Sequence, residues 1–382
     1  MTTAGTAPPF TRYGGANCET SAFHKMLAFH GVEVGEPLLF GVAGGINFMH
    51  MPPPPGGGRS FTGGRNGPFP EFTRRMAEGV GLRLDVVVTE DAERAWRELR
   101  EQLDQGRPVI VYGDLFHLPY FQATRHFGGH AFVVHGHDPG RGTVSVSDRC
   151  SRPRTLTLAE LAAARGSAHH PFPPRHARLS ADWASAREPA EDDIRRGVRS
   201  SCQAMLRPPV PTFGLRGLTA YGAGLDHLVR RAPADDVVAE LVGAFVDFEL
   251  AGTGGSAFRV LFRDFLCQAA ARTHDAHLRR AVPLAQACVD AWDSFLELLV
   301  PAWTPAFTEL RDTYREREQW LLDGTEEALA RAARLGARLP ELRTDAAAGL
   351  DPMREQLGAA LSSAVRRLVA SERALFDELK EV

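Results

Sequence analysis

The apolar positions of this chain change period about halfway along. From residue 191 onward Leu, Ala, Val and Phe recur at three- and four-residue spacing, with Arg and Glu between them. That spacing buries one face of a helix and solvates the other. It predicts helices over 191–206, 216–231, 235–251, 255–279, 284–299, 304–322, 324–334 and 352–380. Strand signals are almost absent there, so the second half reads as an all-α domain, with Trp292 and Trp303 in its core. The run Gly252-Thr253-Gly254-Gly255-Ser256 reads as a tight interhelical turn, with an anion site at the following helix start as the less favoured alternative. The first half mixes periods. Helical spacing covers 17–30, 69–79, 90–105 and 158–165, and β-branched runs predict strands over 82–89 and 109–112. The clearest strand signal is a hairpin, 130–138 and 143–148, turned by Asp138-Pro139-Gly140.

Between these elements lie stretches of other composition. Residues 1–12 read as a loose tail. Leu38 to Met49 is glycine-rich but lacks the Lys-Ser/Thr of a phosphate loop, which leaves a close backbone approach or a wall of the active-site cleft. The Pro/Gly run over 52–68 reads as a loop, either an unstructured insertion or a lid. Residues 166–190 carry Pro, His, Ser and Arg and give the best boundary, dividing the chain into domains 1–180 and 181–382. His169, His170 and His176 fall in that stretch, but no carboxylate or cysteine sits beside them at ligand spacing. A solvated linker that packs back onto the first domain is the preferred reading, and no metal site is expected.

Candidate chemistry concentrates in the first domain. His130 opens one strand of the hairpin and Asp148 closes the other, so both lie at the same end of the sheet. A His and an Asp placed together form a base and the group that orients it. The nucleophile that such a pair needs is Cys18. Asn17 is a good N-cap and Gly31 a good helix stop, which puts Cys18 at the first helical position, where the helix's positive end favours a thiolate. The bland alternative is a small buried cysteine and an ordinary hairpin histidine. Helix-start placement and the His/Asp hairpin together favour catalysis. The order Cys, His on a strand, Asp on the next is the papain-like arrangement. Asp138 is assigned to the turn. Asp114, which follows a buried strand, is a rival orienter and a candidate for the acceptor site.

Composition narrows the classes. The chain has 382 residues, 44% hydrophobic and 24% charged, enough for about two globular domains. A formal net charge of −3 gives no electrostatic case for nucleic acid. No signal peptide and no apolar run of membrane-spanning length is visible, so a cytoplasmic, bacterial protein is expected. The five cysteines, at 18, 150, 202, 267 and 288, are scattered and form no CxxC pair.

The stretches Asn17-Cys18-Glu19-Thr20-Ser21-Ala22, Leu38-Leu39-Phe40-Gly41, Gly106-Arg107-Pro108-Val109, Leu118-Pro119-Tyr120 and His126-Phe127-Gly128-Gly129-His130 resemble the N-terminal domain of the butirosin-biosynthesis acyltransferase family. The second half, above all 252–270, is similar to the helical domain of unknown function that often follows it. The resemblance implies an α+β architecture: a papain-like cysteine-peptidase fold followed by an all-α domain. The founding member moves an aminoacyl group from an acyl carrier protein to an aminoglycoside amine. Related peptidases carry a Gln a few residues before the cysteine as oxyanion donor. Here that region reads Thr11-Arg12-Tyr13, which leaves Asn17 or the backbone N–H of Cys18 for the task.

The resulting expectation is a cysteine-dependent acyltransferase of natural-product, antibiotic-type secondary metabolism. Cys18 attacks a carrier-protein thioester, His130 manages the proton and Asp148 fixes its tautomer. Asp114 and Tyr120 are the candidate substrate-binding residues. No cofactor of its own is expected, only the phosphopantetheine of the partner. The partners are an acyl carrier protein and a small-molecule amine, with no nucleic acid and no membrane, and self-association into a homodimer is left open. The alternatives are a papain-like hydrolase (peptidase, amidase or thioesterase) with the same triad, and a binding protein that retains the fold.

Overall fold

The structure is a computed structural model and describes residues 10–52 and 60–382. In chain order its elements are α1 (Cys18–Phe29), α2 (Glu36–Val42), β1 (Ile46–Met51), β2 (Phe61–Arg65), α3 (Glu71–Gly79), β3 (Asp85–Val87), α4 (Ala92–Asp104), β4 (Val109–Gly113), β5 (His130–Asp138), β6 (Thr143–Ser147), β7 (Arg154–Thr157), α5 (Leu158–Gly166) and β8 (Arg178–Ser180). Then follow α6 (Glu191–Leu206), α7 (Gly214–Arg231), α8 (Ala234–Phe245), α9 (Arg259–Thr273), α10 (Ala276–Leu299), α11 (Pro305–Asp323), α12 (Glu326–Ala348) and α13 (Arg354–Leu379). The architecture is α+β. No helix among the described residues is long and apolar enough to cross a membrane.

The chain forms two compact units, and neither is continuous. The first comprises residues 1–39, 69–188 and 319–333; the second comprises 40–68, 189–318 and 334–382. A single division at 180/181 therefore does not describe this chain. The stretch 52–68 is also not all loop: 61–65 form β2, paired antiparallel with β1 in the second unit. The centre of the expected lid, 53–59, lies outside the described residues, as does 1–9 of the expected tail. The described part of that tail is packed, with Phe10 stacked on His135 at 4.7 Å.

The first unit is built on a six-stranded antiparallel sheet in the order β3-β8-β4-β5-β6-β7. Val109 to Gly113 is buried along its whole length, which is why the stretch reads as an unbroken apolar run rather than an alternation. Leu99 and Leu103 of α4, with Leu161 and Ala164 of α5, share a core with Phe132 and Val134. Helix α1 also packs on β5 and β4. It is buried on more than one face: the polar Glu19, Thr20, Ser21 and Lys25 are buried along with Ala22, Phe23, Met26 and Leu27. The hairpin forms as the sequence predicts. Its ladder slips by one residue between Val134 and Gly136, a bulge at His135, and ends at Val133 opposite Ser147. The stretch 166–190 is more than a solvated linker, because Arg178–Ser180 is β8, inserted between β3 and β4, and His176 is buried.

The second unit is mainly helical. Its core gathers Phe48, Leu218, Phe245, Phe248, Trp292 and Leu361. Trp303 is not part of it and is 39% exposed, against the sequence expectation. Two helices run through prolines that the pattern treats as ends: α10 contains Pro283 and α12 contains Pro340. In each the buried face continues across the proline, Leu278 to Trp292 in one and Leu339 to Ala346 in the other. Packing outweighs the local cost of the lost hydrogen bond.

A buried ion pair ties this unit together. Arg259 Nε donates to Glu372 Oε1 at 2.7 Å, with both side chains 1% exposed. Trp292 Nε1–H donates to the same oxygen at 2.7 Å, and the guanidinium lies 4.7 Å from the indole centre. Removing one member strands the other charge, a cost of about 3–5 kcal/mol. Glu372→Gln is therefore expected to lower the melting temperature sharply. A stability loss below ~1 kcal/mol in a denaturant titration would show that the pair is dispensable.

Candidate active site

Geometry before the nucleophile is fixed by two side chains. Asn17 caps α1, its Oδ1 accepting the N–H groups of Glu19 at 3.1 Å and Thr20 at 3.2 Å. Glu36, the first residue of α2, accepts from the N–H of Ala16 at 2.9 Å and of Asn17 at 3.0 Å, and from the Thr20 hydroxyl at 2.6 Å. Gly15 is required by space: a Cβ there would stand 2.2 Å from Ser21 Cβ. These bonds use the N–H groups on both sides of Cys18. Its own N–H, at the first helical position, has no hydrogen-bond partner among the described residues. The thiol is partly exposed.

His130 begins β5 opposite Gly113. Its Nε2 lies 2.9 and 2.8 Å from the two oxygens of Asp148, and its ring also hydrogen-bonds Cys18. With Nε2 occupied by the carboxylate, Nδ1 is the nitrogen left for the thiol. Phe121 meets the imidazole edge-on at 4.9 Å. The carboxylate is held on other sides too: the Tyr120 hydroxyl donates to Oδ2 at 2.8 Å and the Arg149 N–H to Oδ1 at 2.6 Å. Beneath it, the Lys25 ammonium donates to the Asp148 carbonyl at 2.7 Å.

Electrostatics follow from this packing. Burial disfavours a charged His130, but the Asp148 carboxylate and the bond to Cys18 outweigh it and raise its pKa to about 9. Burial likewise opposes ionisation of Asp148, yet His130, Lys25 and the Arg149 N–H hold it below the ordinary carboxylate range. Burial and Asp148 push Tyr120 far up, so its hydroxyl stays a donor. Burial lowers Lys25 to about 8, against the pull of Asp148 and Glu36.

The other sequence candidates lie elsewhere. Asp114 is fully buried and its oxygens are engaged by Phe116 N–H, Phe127 N–H, the Ser167 hydroxyl and His126. It presents no open carboxylate to a cationic acceptor and is not bonded to His130. Tyr120 orients Asp148, which differs from the substrate contact expected for it. Asp138 serves the turn, accepting from Gly140 and Arg141. His135 stacks on Phe10, and His137 bonds Asp104. Cys150 is fully buried, and burial together with Asp148 raises its thiol pKa. Lys25 and Glu36 escaped the sequence reading. The one available signal was a lysine set among the apolar positions of α1.

Residues 17–149 match the family described as Butirosin biosynthesis protein H, N-terminal. That region, about a third of the chain, is similar to this family. Residues 159–319 match a domain of unknown function, DUF4872. A region similar to that family is thus followed by one similar to the second domain, as the motifs suggested. No curated protein matches it.

Proposed function

We propose that this protein is a cysteine-dependent acyltransferase of natural-product biosynthesis, with a papain-like first unit. The carrying observation is the chain of contacts from Cys18 at a helix start, through His130, to the Asp148 carboxylate. The family description, which names butirosin biosynthesis, supports a biosynthetic rather than a degradative role.

The steps follow from the atoms present. In this scheme the attacking species is a thiolate–imidazolium pair, with the proton on His130, whose pKa is raised to about 9, and Cys18 at the start of α1. Sγ adds to the carbonyl carbon of a carrier-protein thioester. The oxyanion is met by the Cys18 N–H at the start of α1, while Asn17 Oδ1, an acceptor in the helix cap, fixes the backbone that presents it. The carbonyl re-forms, the phosphopantetheine thiolate leaves and takes the proton from His130. An acyl-enzyme thioester and neutral His130 remain. An amine then attacks that carbonyl, His130 accepts its proton, and Cys18 leaves as thiolate beside imidazolium. One thioester is exchanged for another before the amide forms, so no ATP is needed. Asp148 and Tyr120 position His130 throughout. No cofactor belongs to the enzyme itself in this scheme.

The second reading is a hydrolase, in which water replaces the amine. Incubation with a chromophoric acyl thioester, with and without an amine, separates the two. Transfer predicts a mass increment on Cys18 that disappears on adding amine, with amide as product. Release of free acid at the same rate in both tubes would replace the transferase reading by the hydrolase. No increment and no turnover with any thioester would overturn both.

A further inference from the structure

We propose that Asp114, His117 and His126 form a binding site for a divalent transition ion of the zinc type. The site is separate from the Cys18 centre, and the proposal does not rest on the acyltransferase reading. The three residues lie in the connection between β4 and β5, and one ligand atom of each falls within 4.8 Å of the others. Two imidazoles and a carboxylate are a donor set that zinc and its neighbours take up, with a fourth position left for water.

The surroundings hold these donors as a ligand set needs. Asp114 follows β4 and caps the turn carrying His117, its Oδ1 accepting from Phe116 N–H at 3.1 Å and Phe127 N–H at 2.9 Å. The Ser167 hydroxyl donates to Oδ2 at 2.6 Å. The carboxylate is thus aimed by partners that a metal would leave in place. On the remaining side of Oδ2 stands His126 Nδ1, at 2.7 Å. That hydrogen is what an ion replaces: the neutral imidazole moves it to Nε2, or the protonated imidazole releases it to solvent. The His126 ring lies between Phe116, at 4.1 Å, and His169, at 3.3 Å. His117 is 5.8 Å from it, ring to ring. His117 and His126 are partly exposed, so an ion can enter. The histidine tract near 169 lacks a carboxylate neighbour in sequence; the fold brings Asp114 and His126 to it. An ion here would clamp the segment that leads directly into His130.

The test is a Zn²⁺ titration of the full-length Cys18→Ala protein against a chromophoric chelator, so that the active-site thiol cannot supply the binding. One equivalent bound with a Kd of about 1 µM or tighter is expected. His117→Gln and His126→Gln should each weaken it by about tenfold or more. Co²⁺ in its place should give visible ligand-field absorption without sulfur-to-cobalt charge transfer. Both variants remove partly exposed side chains, and unchanged far-ultraviolet circular dichroism confirms that they fold. No binding at ~100 µM Zn²⁺, or binding indifferent to either substitution, would overturn the site.

Discussion

Cys18→Ala is expected to abolish acyl-enzyme formation while leaving the fold unchanged. The side chain is small and partly exposed, and its thiol hydrogen-bonds His130. Removing Sγ from a covalent mechanism leaves no other group to carry the acyl chain. Cys150 is the nearest alternative in sequence, but it is fully buried and its thiol pKa is raised by burial and by Asp148. Intact-mass spectrometry after exposure to an acyl thioester reads the result directly. Wild type should gain one acyl increment and the variant none, with superimposable melting curves. Persistent labelling of the variant would move the nucleophile away from residue 18.

Asp148→Ala is expected to lower turnover by about ten- to a thousand-fold with donor binding little changed. The loss lies below the roughly ten-thousand-fold of a serine-protease triad because a thiolate needs less help than a hydroxyl. Its signature is in the pH profile. The Asp148 carboxylate is the largest influence holding His130 at about 9. Without it only Cys18 opposes the effect of burial on the imidazole, so the alkaline limb of kcat/KM should fall below pH 9. Asp148→Asn, which keeps an acceptor for Tyr120, should move the limb in the same direction. Stability is linked with the same sign. A histidine whose folded pKa lies above its unfolded value of 6.5 contributes stability fully below pH 6.5. That contribution fades as the pH rises through about 9, and the wild-type advantage over Asp148→Asn should fade over the same window. An alkaline limb that stays put in both variants would remove Asp148 from the orienting role.

The parts of this site that were legible in the sequence are those made locally. The Asn17 cap, the start of α1 and the hairpin that puts His130 beside Asp148 depend on neighbours a few residues away, and the pattern shows them. What was not legible depends on distant partners. β8 is three residues in a proline- and histidine-rich stretch, and it is a strand only because β3 and β4 flank it. Residues 61–65 look like loop until β1 pairs with them. Asp114 follows a strand and seemed free to face a cleft, but it is buried and turned toward Phe116, Phe127, Ser167 and His126. Lys25 violates the rule that lysines stay outside, and only the fold reveals the carbonyl of Asp148 as its partner.

The discontinuity of the first unit has a bearing on how the protein comes to exist. Its final piece, 319–333, is joined to the body of the unit by bonds from Ser151 N–H to the Leu322 carbonyl and from the Gln122 amide to the Leu329 carbonyl, both 2.8 Å. Gly324 in that piece has φ +76°, a conformation that favours glycine, and the Arg154 guanidinium packs over it. Cys18, His130 and Asp148 all precede residue 149, yet the last piece of the unit that holds them follows residues 189–318 of the second unit. A chain that ends after residue 188 carries all six strands of the sheet but lacks 319–333, the segment bound by the Ser151 N–H and the Gln122 amide, so the first unit gains its last contacts only after most of the second has been made.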